Sequence, residues 1–260
     1  MSTGRYEFRD DEVTRAFAGG SLEIFGQPLH FSVRQLGRLW IGDRGFLGRF
    51  SGMTQVVAAD PFVPGLTTNP LISMVPQGRH PVSLAIAHLA SGEEYVAYAR
   101  VRFTSHAAVR WMHALFSAED FPRLTKGEFV GYGVDSGHGS FMGERAAKLL
   151  AERLEKDPGF EDTMNQALEA NDYWAELCPS EQFRDNVFVF RSGLGDGRYA
   201  STFGLDSRGK ICELVTDFNI VGRKYPGHVV MHKMMKHAPL LIARQKEREE
   251  ALKRFSGPRE

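Results

Sequence analysis

The chain has 260 residues, 42% hydrophobic and 25% charged, an ordinary globular composition that argues against extended disorder. Its 32 basic and 32 acidic side chains cancel, so nothing marks it as an electrostatic nucleic-acid binder. No apolar run approaches the ~20 residues of a membrane span, and the N-terminus lacks a signal-type apolar core, so the expectation is a cytoplasmic protein with no membrane partner.

In chain order, Asp10 is placed to cap a short helix over Asp11 to Ala18, ended by Gly19-Gly20. From Ser21 to Phe50, short apolar runs (Leu22 to Phe25, Leu29 to Val33, Leu39 to Ile41) alternate with glycine and predict small strands joined by tight turns. Thr54 to Ala59 predicts another strand, closed by the turn-initiating pair Asp60-Pro61. Val82 to Ala87 and Tyr95 to Phe103 alternate with period two, as half-buried strands do, and Ala108 to Met112 predicts one more.

The sequence then reaches its most unusual stretch, Glu128-Phe129-Val130-Gly131-Tyr132-Gly133-Val134-Asp135-Ser136-Gly137-His138-Gly139-Ser140-Phe141. It predicts a strand that breaks into glycines and passes straight into a helix. Helices are expected from Gly143 to Glu155, with Ala146, Ala147, Leu150 and Leu154 at helical spacing, and from Phe160 to Asn171. Strands resume at Asn186 to Phe190, Tyr199 to Phe203 and Lys210 to Phe218, with Asp206-Ser207-Arg208-Gly209 as a hairpin turn. A second glycine run, Ser192-Gly193-Leu194-Gly195-Asp196-Gly197-Arg198-Tyr199, lies among them. Pro239 to Phe255 is helical and highly charged, suited to a homo-oligomer contact or to water.

The expected class is α+β: a mainly antiparallel, sandwich-like sheet system with helices packed outside and a C-terminal helix. The expected organisation is an N-terminal extension (1–53) packed on a core domain (54–221), followed by a C-terminal helical extension (222–260).

Several blocks occur together in order: Val57-Ala58-Ala59-Asp60-Pro61, Val75-Pro76-Gln77-Gly78-Arg79-His80-Pro81-Val82, Ala99-Arg100-Val101-Arg102-Phe103, both glycine runs, and Val215-Thr216-Asp217-Phe218. Over roughly Thr54 to Val221 this resembles the bacterial family known as domain of unknown function 4241. The resemblance implies an alignment and no activity. Family members typically carry Cys at the position of Ser140 and Asp at that of Gly143, so a family reaction using either group would be missing here. Many also have Tyr where His80 stands and Cys where Ala59 stands.

Asp135, Asp196 and Asp217 lie at or near strand ends. If those ends meet, the three carboxylates suit a hard divalent cation such as Mg²⁺ or Ca²⁺. The competing expectation is that Asp135 and Asp196 bond their own loop amides as turn residues. His138, flanked by Gly137 and Gly139, is the general acid/base candidate, because imidazole titrates near neutrality. The glycine-rich passage into a helix resembles an anion cradle, with Gly137, Gly139, Ser140, Gly195, Arg198 and Tyr199 as ligand-binding candidates. On a helix His228 and His232 would share a face at zinc-like spacing, with no third ligand evident in the sequence. Neither Cys178 nor Cys212 carries the signature of an activated thiol.

Together these readings predict a hydrolase or lyase acting on a small polar or phosphorylated molecule through Asp135, His138 and Asp196. The alternative is a non-catalytic binding or immunity-type interaction protein in which the glycine loops are scaffolding.

Overall fold

The computed structural model describes residues 10–24, 27–42, 52–63, 69–89, 92–125, 130–180 and 185–221. The expected C-terminal helix and the His228/His232 pair lie outside the described residues. Antiparallel strands dominate, with few helices, so the mainly antiparallel α+β class is borne out.

The larger sheet runs in the order β1 (Ser21–Ile24), β2 (Gln27–Ile41), β6 (Gly78–His88), β7 (Glu94–Arg102), β14 (Ile211–Asp217), β13 (Gly197–Leu205), β8 (Arg110–His113). A short strand, β9 (Tyr132–Val134), also pairs with β13. The smaller sheet runs β11 (Trp174–Leu177), β12 (Val187–Arg191), β10 (His138–Gly143), β4 (Val56–Ala59). A two-stranded piece joins β3 (Met53–Thr54) to β5 (Val75–Pro76).

One core is shared by both sheets. Leu39, Leu84, Val101 and Leu214 of the larger sheet meet Phe141, Phe188 and Phe190 of the smaller. Two further layers close the outer faces. Helix α1 (Asp10–Phe17) lays Val13 and Ala16 on Phe31, Ala85 and Tyr98. Helices α3 (Glu144–Lys156) and α4 (Gly159–Glu169) lay Ala146, Leu150 and Met164 on Met142 and Val189. The spacing of Ala146, Ala147 and Leu150 explains α3: these residues share one face, while Glu144–Lys148 and Glu152–Lys156 pairs at i,i+4 hold the wet one. Helix α2 (Asp120–Thr125) is a single short segment whose Asp120 accepts the Phe116 and Ser117 amides.

Two differences from the sequence reading have physical causes. The short strands expected between Leu29 and Ile41 are one fifteen-residue strand, β2. Gly37 absorbs a register shift there at φ +152°, and a side chain on it would come within 3.0 Å of the Phe188 ring. The segment ahead of Thr54 supplies β1 and β2, and β2 pairs with β6 from His30 to Ile41. Asn186 ties this strand to the smaller sheet, accepting from the Trp40 amide at 2.7 Å and donating to the Arg38 carbonyl at 3.0 Å.

The other difference concerns the glycine motif, which reaches its helix only through a further strand. Residues 138–143 form β10, a central strand paired with β12 on one side and β4 on the other. Helix α3 begins only at Glu144. Side chains at Phe141 and Met142 are fully buried on opposite faces of the smaller sheet, one in the shared core and one under the helices. Burial on both faces favours strand over helix.

Candidate functional site

The two glycine runs are built alike and lie side by side. In the first, β9 belongs to the larger sheet, residues 135–137 turn, and β10 enters the smaller sheet. In the second, β12 leaves the smaller sheet, residues 192–196 turn, and β13 enters the larger one. Both crossings pair with each other: Gly197, Arg198 and Tyr199 lie opposite Val134, Gly133 and Tyr132, and Arg191 lies opposite His138. The Ser192 amide donates to the Gly137 carbonyl at 3.0 Å. Gly137 has φ +73°, and a side chain there would stand 3.8 Å from the Gly195 Cα. The sequence placed these loops sixty residues apart; the sheets bring them together.

Their hub is a residue read from sequence only as a turn initiator. Asp60, fully buried at the end of β4, accepts four hydrogen bonds. Its Oδ2 takes the amides of Asp135 (2.8 Å) and Ser136 (2.9 Å), and its Oδ1 takes the Ser136 hydroxyl (2.8 Å) and the Phe62 amide (2.9 Å). A buried carboxylate is tolerated when its lone pairs are met this completely. The only local signal was Asp60-Pro61, and nothing in it discloses partners 75 residues away.

The candidates divide into an inner and an outer set. Ser140 is fully buried, and its hydroxyl donates to the Ala59 carbonyl at 2.7 Å. Gly139 is enclosed, since a Cβ would meet the Tyr132 hydroxyl at 2.7 Å and the Phe190 ring at 3.1 Å. Tyr199 is buried, with its hydroxyl directed at the carbonyls of Gly195 (2.7 Å) and Ser192 (3.0 Å). Burial raises the Tyr199 phenol pKa, and Asp196 adds to the effect. These three hold the crossings in place. Gly195, at φ +108°, closes the second turn by donating its amide to the Ser192 carbonyl at 2.8 Å.

Asp135, Asp196, Arg191 and Arg198 are exposed, and Arg198 reaches back to the Gly131 carbonyl at 3.3 Å. Leu194, at the tip of the second loop, is 74% exposed. His138 is half-buried, 5.6 Å from the Phe62 ring between centroids, and its Nδ1 lies 2.8 Å from the Ser136 carbonyl. Burial lowers its pKa below the ordinary histidine value; the Ser136 carbonyl and the Asp60 charge oppose this, and Arg191 adds to it. A carbonyl only accepts, so in the neutral ring Nδ1 carries the proton and Nε2 keeps a lone pair.

The expected cation cluster is not formed. Among the described residues, no group of three or more His, Cys, Asp or Glu side chains is placed to hold a metal ion. Asp217 caps its own turn instead, accepting the Asn219 amide at 2.8 Å. A short side chain bonding an amide two residues on is the ordinary use of Asp beside a strand end. The glycines expected to form an anion cradle at a helix start are separated from the first turn of α3, at Glu144, by β10. Cys178 and Cys212 are unpaired, and burial raises both thiols, Cys212 to about 11, which leaves neither activated.

No helix among the described residues is long and apolar enough to cross a membrane. No curated protein and no solved structure matches the chain. A family described as "Protein of unknown function (DUF4241)" matches residues 51–216, a span that takes in Asp60 and both glycine loops and begins after β2. That match covers well over half of the sequence, and the protein belongs to the DUF4241 family.

Proposed function

We propose that the protein is a hydrolase or lyase of the bacterial cytoplasm, acting on a small polar or phosphorylated molecule at the rim of the paired glycine loops. The observation that carries this reading is His138 at the start of β10, whose Nδ1 lies 2.8 Å from the Ser136 carbonyl, so that Nε2 keeps its lone pair in the neutral ring. Depressed basicity keeps the ring neutral at pH 7, the state a general base needs. Asp135 and Asp196 supply exposed carboxylates on the flanking turns, and Arg191 and Arg198 supply positive charge for an anionic group. The sandwich-like arrangement of the two sheets fits this reading, with the site where both glycine loops cross from one sheet to the other. The helix expected over Pro239 to Phe255 would then serve self-association.

The test is a turnover screen over small phosphomonoesters, lactones and hydroxy acids, with and without Mg²⁺. His138→Gln should lower kcat by about 10²–10⁴, the usual worth of a general base. Wild-type activity should fall as pH drops through a value below 6.5, because protonation removes the Nε2 lone pair. Turnover that survives His138→Gln unchanged would sink the proposal.

One observation favours a second reading, a binding protein for another macromolecule. Leu194 is a large apolar side chain left exposed at the loop tip. Under that reading Leu194→Asp abolishes capture of a partner, while no compound in the screen is turned over.

A further inference from the structure

A second constellation lies at the same end of the larger sheet, on strands that the glycine loops do not include. The end is common because Asp217 lies opposite both Tyr98 and Ala200, and the Phe218 amide bonds the Ala97 carbonyl. There His88, the last residue of β6, lies opposite Glu94, the first residue of β7. Its Nδ1 is 2.8 Å from Glu94 Oε1, and its Nε2 is 2.7 Å from the hydroxyl of Ser32 on β2. The other Glu94 oxygen accepts the Tyr173 hydroxyl, reaching across from the turn before β11.

The polarity of this chain is set by elementary donor and acceptor rules. An ionised carboxylate only accepts, so in the neutral ring Nδ1 carries the proton and Nε2 the lone pair. The Ser32 hydroxyl then donates to Nε2. Tyr173 stays protonated and donating, since burial and Glu94 push its phenol up to about 12. The Tyr173 hydrogen bond, foremost, and His88 hold the Glu94 carboxyl below its usual range. Ser32 is exposed and His88 half-exposed, so a substrate has access to the hydroxyl.

We infer that Ser32, His88 and Glu94 form a nucleophilic relay for hydrolysis of small carboxylic esters, with Glu94 and Tyr173 as positioning residues. The nucleophile–base–carboxylate order is the one that activates a serine in unrelated folds. Ser32 Oγ bonds to the acyl carbon while its proton passes to His88 Nε2. The bond from that carbon to the leaving alkoxide breaks, and the alkoxide takes the proton as free alcohol. Water then gives a proton to Nε2 and its oxygen to the acyl carbon, and Ser32 leaves with the proton restored. Ester and water become acid and alcohol, with no other reactant.

The molecule carries its own control. Ser21 Oγ lies 2.6 Å from His30 Nδ1, a serine–histidine pair one strand away for which no carboxylate contact is seen among the described residues. Full-length protein is treated with a fluorophosphonate and, separately, with p-nitrophenyl acetate, and the modified serines are located by peptide mass spectrometry. Ser32 should be labelled at least tenfold faster than Ser21. His88→Ala should abolish the labelling. Glu94→Gln should lower it at least tenfold, and Glu94→Asp should restore part of it, which a merely structural role for Glu94 would not do. His138→Gln should leave it unchanged, so the outcome is independent of the function proposed for the glycine loops. An unlabelled Ser32, labelling no faster than at Ser21, or labelling indifferent to His88→Ala in a variant with an unchanged melting curve would overturn the inference.

Discussion

The inner and outer layers of the glycine crossings contain the same residue types put to opposite use. Asp60 and Asp135 are one hydrogen bond apart, since the carboxylate of one accepts the amide of the other. Yet Asp60 is fully buried with four donors around it, while Asp135 is exposed on the turn that those donors shape. Likewise Gly139 is packed against Tyr132 and Phe190, while Gly195 has nothing within 4 Å of where a side chain would begin. A polar, glycine-rich motif is therefore two things at once: a scaffold whose groups are consumed, and a rim whose groups are available. Only the second can carry chemistry.

That division is open to direct attack. The largest effect is expected at Asp60. Asp60→Asn turns one acceptor into a donor facing backbone N–H groups and removes the charge from four hydrogen bonds. It should destabilise the fold by at least about 3 kcal/mol, measured by urea unfolding, because hydrogen bonds to a charged group contribute roughly 1.5–3 kcal/mol each. A loss under about 1 kcal/mol would mean that the corner is not held from Asp60.

The glycines come next. Gly139→Ala must push aside the Tyr132 hydroxyl or the Phe190 ring and should cost about 1–3 kcal/mol, the range for overpacking a filled core. Gly195→Ala meets open space and should cost only about 1 kcal/mol, the backbone strain of a side chain at positive φ. Equal costs at the two sites would erase the contrast between layers.

The smallest effect belongs to the rim. Asp135→Asn and Asp196→Asn should change stability by no more than about 0.5 kcal/mol, as surface substitutions usually do. If either costs more than about 1.5 kcal/mol in the same unfolding experiment, that carboxylate belongs to the scaffold and leaves the candidate site.

Much of the fold was legible because its strands alternate. Val82 to Ala87 and Tyr95 to Phe103 announced β6 and β7 by alternating larger with smaller side chains: Val82, Leu84, Ile86 and Val101 enter the shared core, while Ala85, Ala87 and Ala97 are buried on the other face with α1. The Asp206 turn was legible too: its carboxylate takes the Arg208 and Lys210 amides, both at 2.9 Å, and the amide contacts and the Arg208 guanidinium hold its acid down at about 2. Residues 138–143 misled because a fully buried central strand has no alternation to show, and its glycines read as a loop. His88 and Glu94 attracted no notice because neither sits in a motif, and the partner of His88 on the other side is Ser32, 56 residues away.

By itself, then, the sequence determined the antiparallel α+β class, the family, the amphipathic face of α3 and the two glycine turns, since each is written in local periodicity, turn chemistry or ordered blocks of residues. Tertiary structure decided the rest. Sheet pairing set Arg191 opposite His138, Asp60 under Asp135, and His88 between Ser32 and Glu94. Those meetings depend on register across strands distant in sequence, and a hydrogen bond formed over such a gap leaves no trace in the spacing of residues along the chain.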